Sequence, residues 1–471
     1  MNSSADVRNF YIKKNQYYHD KILQLCQYHV FIGAKVLEIG CGTGNLIGRL
    51  ERCSLKAGID INPSFIEAAR GDYPDTEFAV GDAHHFSTEQ YLSAFDLIIL
   101  TDTLAYLADV EEVLKNTRKF LAPHGKLFLT QTSSLWEPIY YLGSKFNLRS
   151  PIQPTNWLSP SDIDNLLRIT GYEPVKSEFA LLLPVKIPLL SYFLNRFIAK
   201  LWLVRHLCVL RYHIARPYGD GKKLSPPPAS EYTVSIIVPA RNEAGNIKKI
   251  TAELPEMGQK TEIIFVEGNS SDNTWEVIEE VYKQYKQTRT LQIVQQEGNG
   301  KADAIRKGFS LARGDILMIF DADITVPPSE LLKFYNLIVS GTADFITGNR
   351  LVYPMEKRAM RFLNKLGNKL FGLLLSFIIG QPCRDTLCGI KTLWRKDYEK
   401  MNANRVLPHD FDPFGDFDLL FGATKLNLKI MEIPVHYKAR TYGNTNISRF
   451  RDGWRLLKMC FVTAMKIKFY G

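Results

Sequence analysis

Residues 315–328 of the sequence read DILMIFDADITVPP. The run from 315 to 320 is almost entirely apolar, which predicts a buried strand, and the carboxylates of Asp321 and Asp323 follow at its end. Two carboxylates in this position can hold a hard divalent cation that bridges the phosphates of a diphosphate ligand. A D-x-D pair by itself is more often part of a loop or a helix cap. Its meaning therefore depends on the residues around it.

Two earlier strands also end in polar groups. Residues 234–238 (VSIIV) run into Pro239, Arg241 and Glu243, and residues 262–266 (EIIFV) end at Glu267. Helical patterns separate these strands, and such alternation predicts a parallel sheet. Because ligands bind at the carboxyl ends of parallel strands, we expect these acidic groups to gather at one edge of the sheet.

Several motifs in register resemble the family 2 glycosyltransferases with the GT-A fold. They are PARNE, EGNSSDNT, GKADAIRKGFSLARGD, DADITVPP and GNR, and the resemblance covers residues 232 to about 455. Residues 385–395 (DTLCGIKTLWR) and 432–450 (EIPVHYKARTYGNTNISRF) are particularly similar to dolichyl-phosphate mannose synthase and its bacterial polyprenyl-phosphate relatives. The resemblance implies metal-dependent, inverting transfer of a sugar from a nucleotide-sugar.

The same resemblance implies roles for individual residues. Four would surround the base and ribose of the nucleotide-sugar: Pro239, Arg241, Glu243 and Glu267. Lys301 would lie near the diphosphate, and Asp321 and Asp323 would bind Mg or Mn. Four more would meet donor or acceptor phosphates: Arg350, Arg440, Asn444 and Ser448. Glu267 stands where the family commonly has aspartate, which leaves the nucleotide base open.

A hydroxyl acceptor must lose a proton during the transfer, and residues 411–418 (FDPFGDFD) carry carboxylates where the family has its acidic motif. Asp416 is the first candidate for the catalytic base and Asp418 the second. A phosphate acceptor is already ionised and needs no base. The nature of the acceptor and the role of Asp416 are therefore linked.

A Gly-, Ser- and Pro-rich stretch, residues 219–230 (GDGKKLSPPPAS), predicts a linker before this half. Upstream of it, residues 35–39 (KVLEI) predict a strand that enters the turn GCGTG (40–44), followed by a predicted helix over 45–52. Further strands are predicted at 56–61, 78–80 and 95–100, with Asp60 and Asp82 at the ends of the first two. A glycine turn of this kind lets a ligand approach the main chain.

These residues resemble the class I S-adenosylmethionine-dependent methyltransferases over residues 30 to 180. The resemblance implies that the methionine part of the cofactor is met by Glu38 and by the turn residues Gly40, Cys41, Gly42 and Gly44. Asp60 would bind the ribose and Asp82 the adenine edge. An NAD-binding fold is the alternative, but it requires G-x-G-x-x-G, and Asn45 and Leu46 follow Gly44 here. His84 and His85 are weak candidates for a base, and the methyl acceptor stays open.

Charge and hydropathy indicate anionic partners. The chain of 471 residues has a net charge of +10, and between Lys186 and Lys223 eight Lys or Arg face one acid. From Lys438 to the end the ratio is again eight to one. Residues 358–377 predict an amphipathic helix that can lie on a membrane surface or pack on its own domain. Nucleic acid is the competing partner, but no recognised nucleic-acid module is present.

The sequence thus predicts an α/β chain of two domains, a Rossmann-like methyltransferase and a GT-A glycosyltransferase. The predicted ranges are 1–218, with a basic amphipathic extension from about 180, the linker 219–230, and 231–471. Seven scattered cysteines and a polar N-terminus favour the cytoplasm, with the cytoplasmic membrane face as the site of action. Sugar would pass to a polyprenyl phosphate or membrane-proximal glycan precursor, and the same or a related product would be methylated. Two alternatives are a soluble hydroxyl acceptor with Asp416 as base, and a non-catalytic methyltransferase-fold scaffold.

Overall fold

The computed structural model describes residues 4–148, 156–218, 231–353, 362–405, 407–408, 411–412, 414–440, 442 and 449–470, with side chains omitted at 362–366 and 449–452. The chain divides into two compact units. The N-terminal unit is Met1–Asp220 with Phe469–Gly471, and the C-terminal unit is Gly221–Lys468. The predicted second domain, 231–471, therefore differs at its last three residues. The reason is visible at Tyr470, whose ring stacks on that of Tyr28 at 3.6 Å between centroids.

The described part of the N-terminal unit contains a seven-stranded sheet in the order β3-β2-β1-β4-β5-β7-β6. Its strands are β1 (Ala34–Ile39), β2 (Cys53–Asp60), β3 (Glu77–Val80), β4 (Phe95–Leu100), β5 (Leu121–Thr132), β6 (Tyr172–Ala180) and β7 (Leu210–Pro217). Strands β1 to β5 pair in parallel, whereas β7 is antiparallel to β5 and β6. Alternate side chains of β1 enter cores on opposite faces, Val36 on one and Leu37 on the other.

Helices cover both faces of this sheet. They are α1 (Ser4–Lys14), α2 (Gln16–His29), α3 (Pro63–Asp72), α4 (Val110–Thr117), α5 (Glu137–Lys145), α6 (Pro160–Ile169) and α7 (Leu190–Arg196). Local capping explains several starts. Asn62 and Asp109 accept backbone N–H groups at the starts of α3 and α4, and Ser159 forms a capping box with Asp162 at α6.

Two predictions for this unit are wrong. The helix expected over 45–52 is only a short 3-10 turn, Ile47–Arg49. Glycine at position 48 disfavours a longer helix, and the Ile47 N–H is bound by the Glu38 carboxylate. The predicted extension from about 180 to 218 is not an appendage, because Leu210–Pro217 is strand β7 inside the sheet. Residues 181–209 are therefore a long connection between two adjacent strands.

The described part of the C-terminal unit has a second seven-stranded sheet, in the order β10-β9-β8-β11-β13-β12-β14. Its strands are β8 (Thr233–Ala240), β9 (Lys260–Glu267), β10 (Thr290–Gln295), β11 (Ile316–Ile319), β12 (Phe345–Asn349), β13 (Lys391–Trp394) and β14 (Ile430–Pro434). The first four pair in parallel, and β13 runs antiparallel to β11 and β12. Ala240 pairs with Glu267, so the polar ends of β8 and β9 lie side by side.

The helices of this unit are α8 (Ala244–Glu253), α9 (Thr274–Tyr285), α10 (Lys301–Leu311), α11 (Leu331–Val339), α12 (Phe362–Ile379), α13 (Arg395–Ala403), α14 (Asp416–Lys425) and α15 (Arg449–Thr463). The amphipathic helix predicted at 358–377 is α12, although residues 354–361 lie outside the described part of the chain. Within the described ranges, none of the helices combines the length and apolar character needed to cross a bilayer.

Candidate active sites

The glycine turn after β1 has a geometry that only glycine adopts easily. Gly40, Gly42 and Gly44 have φ of 75°, 54° and 77°, in the left-handed region. A side chain at any of the three would also collide with a neighbour: Thr103, Arg8 and Phe78, respectively. The turn is held by Asp60, whose carboxylate accepts the backbone N–H of Gly42 at 2.8 Å. Asp60, predicted to bind a ribose, thus lies beside the turn.

Glu38 is buried at the end of β1. Its carboxylate accepts a hydrogen bond from the Ile47 N–H at 3.0 Å and one from the Thr101 hydroxyl at 3.3 Å. Burial raises the pKa of Glu38 to about 8, against the opposing effects of the Ile47 hydrogen bond and the nearby charge of Arg8. A cationic ligand would favour the ionised form of this carboxyl group.

The first helix covers the glycine turn, which sequence reasoning missed. The Thr43 hydroxyl donates to Asn9 Oδ1 at 2.6 Å, and the Arg8 guanidinium lies against Gly42 and over the ring of Phe65. Arg8 therefore brings a positive charge to the turn within the electrostatic reach of Glu38. The only available signal was an Arg-Asn pair in a short helix ahead of the first strand, which by itself indicates nothing.

A second residue that sequence reasoning missed is Tyr18, which meets Asp102 just after the end of β4. The Tyr18 hydroxyl donates to the two carboxylate oxygens of Asp102 at 2.9 and 3.0 Å, and Tyr140 also interacts with that hydroxyl. Asp102 has a φ of 55°, unusual for a residue other than glycine. Burial is the main reason that the pKa of Tyr18 lies well above its usual value, and Asp102 and Tyr140 raise it further. This group lies beside the turn, because the neighbouring Thr103 hydroxyl donates to Ile39 O at 3.1 Å.

Asp82 and the two histidines are arranged differently from an acid–base site. Nδ1 of His84 lies 2.6 Å from the Asp82 carboxylate, and its Nε2 accepts the Asp109 N–H at 3.2 Å. Both ring nitrogens of His84 are therefore engaged, so the ring cannot also take a proton from an acceptor. His85 is largely exposed and lies 3.6 Å from Glu112. His84 therefore lacks the geometry of a base.

In the C-terminal unit, Asp321 and Asp323 follow β11 as predicted and line a small cavity, open to solvent, with Arg350 and Tyr437. Lys301 Nζ lies 2.6 Å from Asp321 Oδ1. Burial alone would lower the pKa of Lys301, but Asp321 and Asp416 outweigh it and raise that pKa. In return Lys301 overcomes the effect of burial on Asp321 and lowers its pKa. This pair is therefore held in its charged form.

Arg440 connects the second aspartate to another predicted residue. Its guanidinium donates to Asp323 Oδ2 at 2.6 Å and to Glu243 Oε1 at 3.1 Å. Burial raises the pKa of Glu243 to about 7, although Arg440 and the amide of Asn246 act in the opposite direction. Residues from the start and the end of the unit thus meet at the D-x-D pair.

The three aspartates of residues 411–418 have different partners. Asp416 is buried, with Lys391 Nζ at 3.3 Å from one carboxylate oxygen and Lys301 Nζ at 3.8 Å from the other. Asp418 points to Arg405, with which it forms an ion pair. Asp412 accepts three backbone N–H groups around the start of α14, and burial raises its pKa to about 6. Of the two predicted bases, only Asp416 shares a lysine with the D-x-D pair.

The remaining predicted donor residues lie at the ends of β8 and β9. Pro239 is half-buried and Arg241 exposed, while the buried Glu267 accepts the Ser270 N–H at 2.6 Å. Arg350 faces the cavity, but its Nε and Nη2 both donate to the buried Asp385 at 2.7 Å. Asn444 and Ser448 lie outside the described residues.

The D-x-D pair fits a hard divalent cation by donor type, since both side chains present carboxylate oxygens to the cavity. Among the described residues, no group of three or more His, Cys, Asp or Glu could hold a metal ion. Two protein carboxylates with ligand phosphates and water suit Mg²⁺ or Mn²⁺, which are commonly bound in that way.

Comparison with known proteins agrees with this division. Residues 37–127 match the family model described as methyltransferase domain, and residues 235–401 match glycosyl transferase family 2. The N-terminal unit therefore contains a region that matches a methyltransferase domain, and the C-terminal unit contains one that matches glycosyl transferase family 2. The predicted resemblances and the two-domain α/β fold are confirmed.

Two curated relatives are similar to the C-terminal half. The low-salt glycan biosynthesis hexosyltransferase of Haloferax volcanii is 29% identical over 251 residues, 52% of this chain and 57% of that protein. The dolichol-phosphate mannosyltransferase of Saccharomyces cerevisiae is 29% identical over 233 residues, 45% of this chain and 80% of that protein. This chain thus spans little more than half of the first relative.

Among solved structures, an S-adenosylmethionine-dependent methyltransferase from Thermotoga maritima, described as a possible histamine N-methyltransferase, is 16% identical with a TM-score of 0.35. The match covers 44% of this chain and 93% of that one.

Proposed function

We propose that the C-terminal unit transfers a sugar from a nucleotide-sugar, in a metal-dependent and inverting reaction, to a polyprenyl phosphate or a membrane-proximal glycan precursor. The observation that carries this proposal is the charge arrangement at the D-x-D pair. Lys301 and Arg440 lie at 2.6 Å from Asp321 and Asp323, so cations and carboxylates alternate where a diphosphate would bind. A bound Mg²⁺ or Mn²⁺ would stabilise the charge on the departing diphosphate.

The choice of acceptor rests on two further points. One relative is a dolichol-phosphate mannosyltransferase, which suggests a lipid phosphate for this chain as well. The other is an exposed apolar stripe on α12, formed by Leu370, Leu373 and Phe377. A second stripe, on α15 of the same unit, exposes Trp454, Leu457 and Phe461. Exposed apolar stripes of this kind suit the lipid interface and support a cytoplasmic enzyme that acts at the membrane surface.

For the N-terminal unit we propose methyl transfer from S-adenosylmethionine to the same or a related product. Glu38 would hold the ammonium of the cofactor, Arg8 its carboxylate and Asp60 its ribose, with Asp82 at the adenine edge. Beside the start of the turn, Asp102 and Tyr18 would orient an acceptor group. A non-catalytic scaffold would not need this set of charges. Calorimetry with S-adenosylmethionine separates the two, because a scaffold would show no binding at high micromolar cofactor.

The sugar acceptor is tested through Asp416. The full chain is supplied with a panel of nucleotide-sugars and Mg²⁺ or Mn²⁺, with a polyprenyl phosphate or with a soluble hydroxyl acceptor. With a phosphate acceptor, Asp416→Asn should keep much of the transfer rate. With a hydroxyl acceptor the same change should lower the rate by about 10² to 10⁴, the usual contribution of a general base. Transfer to the soluble acceptor alone, abolished in Asp416→Asn, would replace the lipid acceptor with the alternative.

A further inference from the structure

Residues 181–209 connect β6 to β7, strands that lie side by side in the N-terminal sheet. Adjacent antiparallel strands can be joined by a turn of a few residues, so this connection is far longer than the pairing of the strands requires. This connection carries α7 and two 3-10 turns of its own. The connection therefore has more structure than the pairing of β6 and β7 requires.

Several apolar side chains of the connection are exposed, while hydrogen bonds within the connection hold its backbone in place. Leu189 is 86% exposed, Leu203 74% and Trp202 70%. Buried Ser191 accepts the Ile187 N–H at 2.7 Å and donates to Val185 O at 2.6 Å. Asn195 bonds both backbone groups of Leu183 at 2.8 Å. Because the backbone is bonded internally, these apolar side chains are held outward in the folded state.

Helix α5 continues this apolar surface. The Trp136 indole N–H, just before α5, donates to Leu207 O at 2.9 Å, which ties the helix to the connection. Ile139, Tyr141 and Leu142 on α5 are all exposed, at 50% or more. We call the exposed apolar side chains of 139–142 and 185–207 the docking surface. It is far larger than the scattered single apolar residues that are normal on a protein surface.

The positive charge near the docking surface indicates which kind of partner binds there. Residues 181–211 contain five Lys or Arg and no acid. Lys186 is exposed on the connection, and the half-buried Arg196 lies over the ring of Tyr192 at 5.2 Å. Exposed apolar side chains with Trp, Tyr and basic groups beside them suit the interface of an anionic bilayer. The apolar side chains enter the bilayer there, and the basic groups contact the headgroup phosphates.

We propose that the N-terminal unit binds an anionic lipid bilayer through the docking surface, so that its methyl acceptor is a molecule carried on a lipid. The second part rests on the proposed methyl transfer. Asn195 of the connection donates to the Tyr17 hydroxyl at 3.0 Å, and the next residue, Tyr18, bonds Asp102 at the glycine turn. The connection and the proposed acceptor end of the site are thus linked through two consecutive residues of α2.

The experiment measures binding of the full chain to vesicles of phosphatidylcholine with and without phosphatidylglycerol, neither containing polyprenyl phosphate. Sugar-transfer activity is not involved, so failure here is distinct from failure of the proposed function. The double variant Trp202→Ser/Leu203→Ser should bind anionic vesicles at least about 10-fold more weakly, because two large apolar side chains no longer enter the bilayer. The matched control, Ile32→Ser/Ile169→Ser, removes exposed apolar groups of the same unit outside the surface. It should change binding by less than about twofold.

A second readout is specific to the docking surface, since the C-terminal unit also has exposed apolar stripes. The fluorescence of Trp202, taken as the difference between the wild type and Trp202→Phe, should shift to the blue on vesicles and be quenched by brominated lipid. Bound protein whose Trp202 is not quenched would overturn the proposal, as would equal losses in the double variant and its control. Equal binding to neutral vesicles would overturn the role given to the cations. Loss of self-association with unchanged vesicle binding would assign the surface to a protein partner instead.

Discussion

The two units place acids at the ends of parallel strands in the same manner but surround them with different partners. In the N-terminal unit, Asp60 accepts a backbone N–H and Asp102 a phenol hydroxyl. In the C-terminal unit, Asp321, Asp323 and Asp416 each lie within 4 Å of a Lys or Arg nitrogen. The difference matches the charge of the proposed ligands. S-adenosylmethionine brings a sulfonium and an ammonium against one carboxylate and so has a net positive charge, whereas a nucleotide-sugar brings a negatively charged diphosphate.

The same placement of acids at the ends of parallel strands would therefore serve the two proposed chemistries. A site for a cation can use bare carboxylates, because the ligand itself supplies the opposite charge. A site for a diphosphate needs cations, and its carboxylates serve to hold a metal and to order those cations. The contrast can be tested unit by unit, since each ligand provides an internal control for the other.

The largest effect is expected from Asp323→Asn. Loss of this carboxylate would remove a proposed metal ligand and would leave Arg440 without its 2.6 Å partner. Sugar transfer should therefore fall by on the order of 10² to 10³, as when a group that stabilises transition-state charge is removed. Initial rates at several Mn²⁺ concentrations measure this. S-adenosylmethionine affinity of the same variant, measured by calorimetry, should not change. A parallel loss of both would mean that the substitution disrupts folding rather than the site.

A smaller effect is expected from Arg8→Gln. If Arg8 pairs with the cofactor carboxylate, S-adenosylmethionine should bind about 10- to 100-fold more weakly, the range for a hydrogen bond to a charged group. Binding of 5′-deoxy-5′-methylthioadenosine, which lacks the amino-acid part, should be unchanged. Calorimetry with both ligands measures the difference, and Lys13→Gln, which removes an exposed charge of the same helix, is the matched control. Equal weakening of both ligands would show instead that Arg8 only supports the turn.

The sequence predicted the parts of each site that follow directly from a strand. The carboxyl ends of β1, β2, β8, β9 and β11 lie within two residues of the predicted positions, because buried apolar runs and glycine turns are local signals. The positions of Arg8, Tyr18 and Arg440 in the sites do not follow from local signals of this kind. The first two come from helices packed over the sheet, and only the tertiary fold brings them to the turn. Arg440 was assigned by resemblance, but its bridge between Glu243 and Asp323 depends on residues far apart in the chain.

Strand β7 is instructive in the same way. Its basic and aromatic residues looked like an amphipathic extension, yet they occupy the sheet between β5 and β6 with Ile214 and Ala215 fully buried. The pattern of a strand buried on both faces resembles that of an apolar helix segment over so short a run. Pairing with two distant strands decides the outcome, and sequence periodicity does not contain that information.

The smallest effect concerns pH. Glu38 has a pKa of about 8 in the ligand-free protein, so below that pH it is mostly protonated, and binding of an ammonium must release the proton. Affinity for S-adenosylmethionine should therefore rise with pH and level off above about 8, by at most about tenfold per pH unit. The ammonium of the cofactor also titrates near this pH, so the wild type is compared with Glu38→Gln. Only the wild type should release the extra proton, seen by calorimetry in buffers of different ionisation enthalpy. Identical proton release in the two proteins would show that Glu38 is not the group that meets the ammonium.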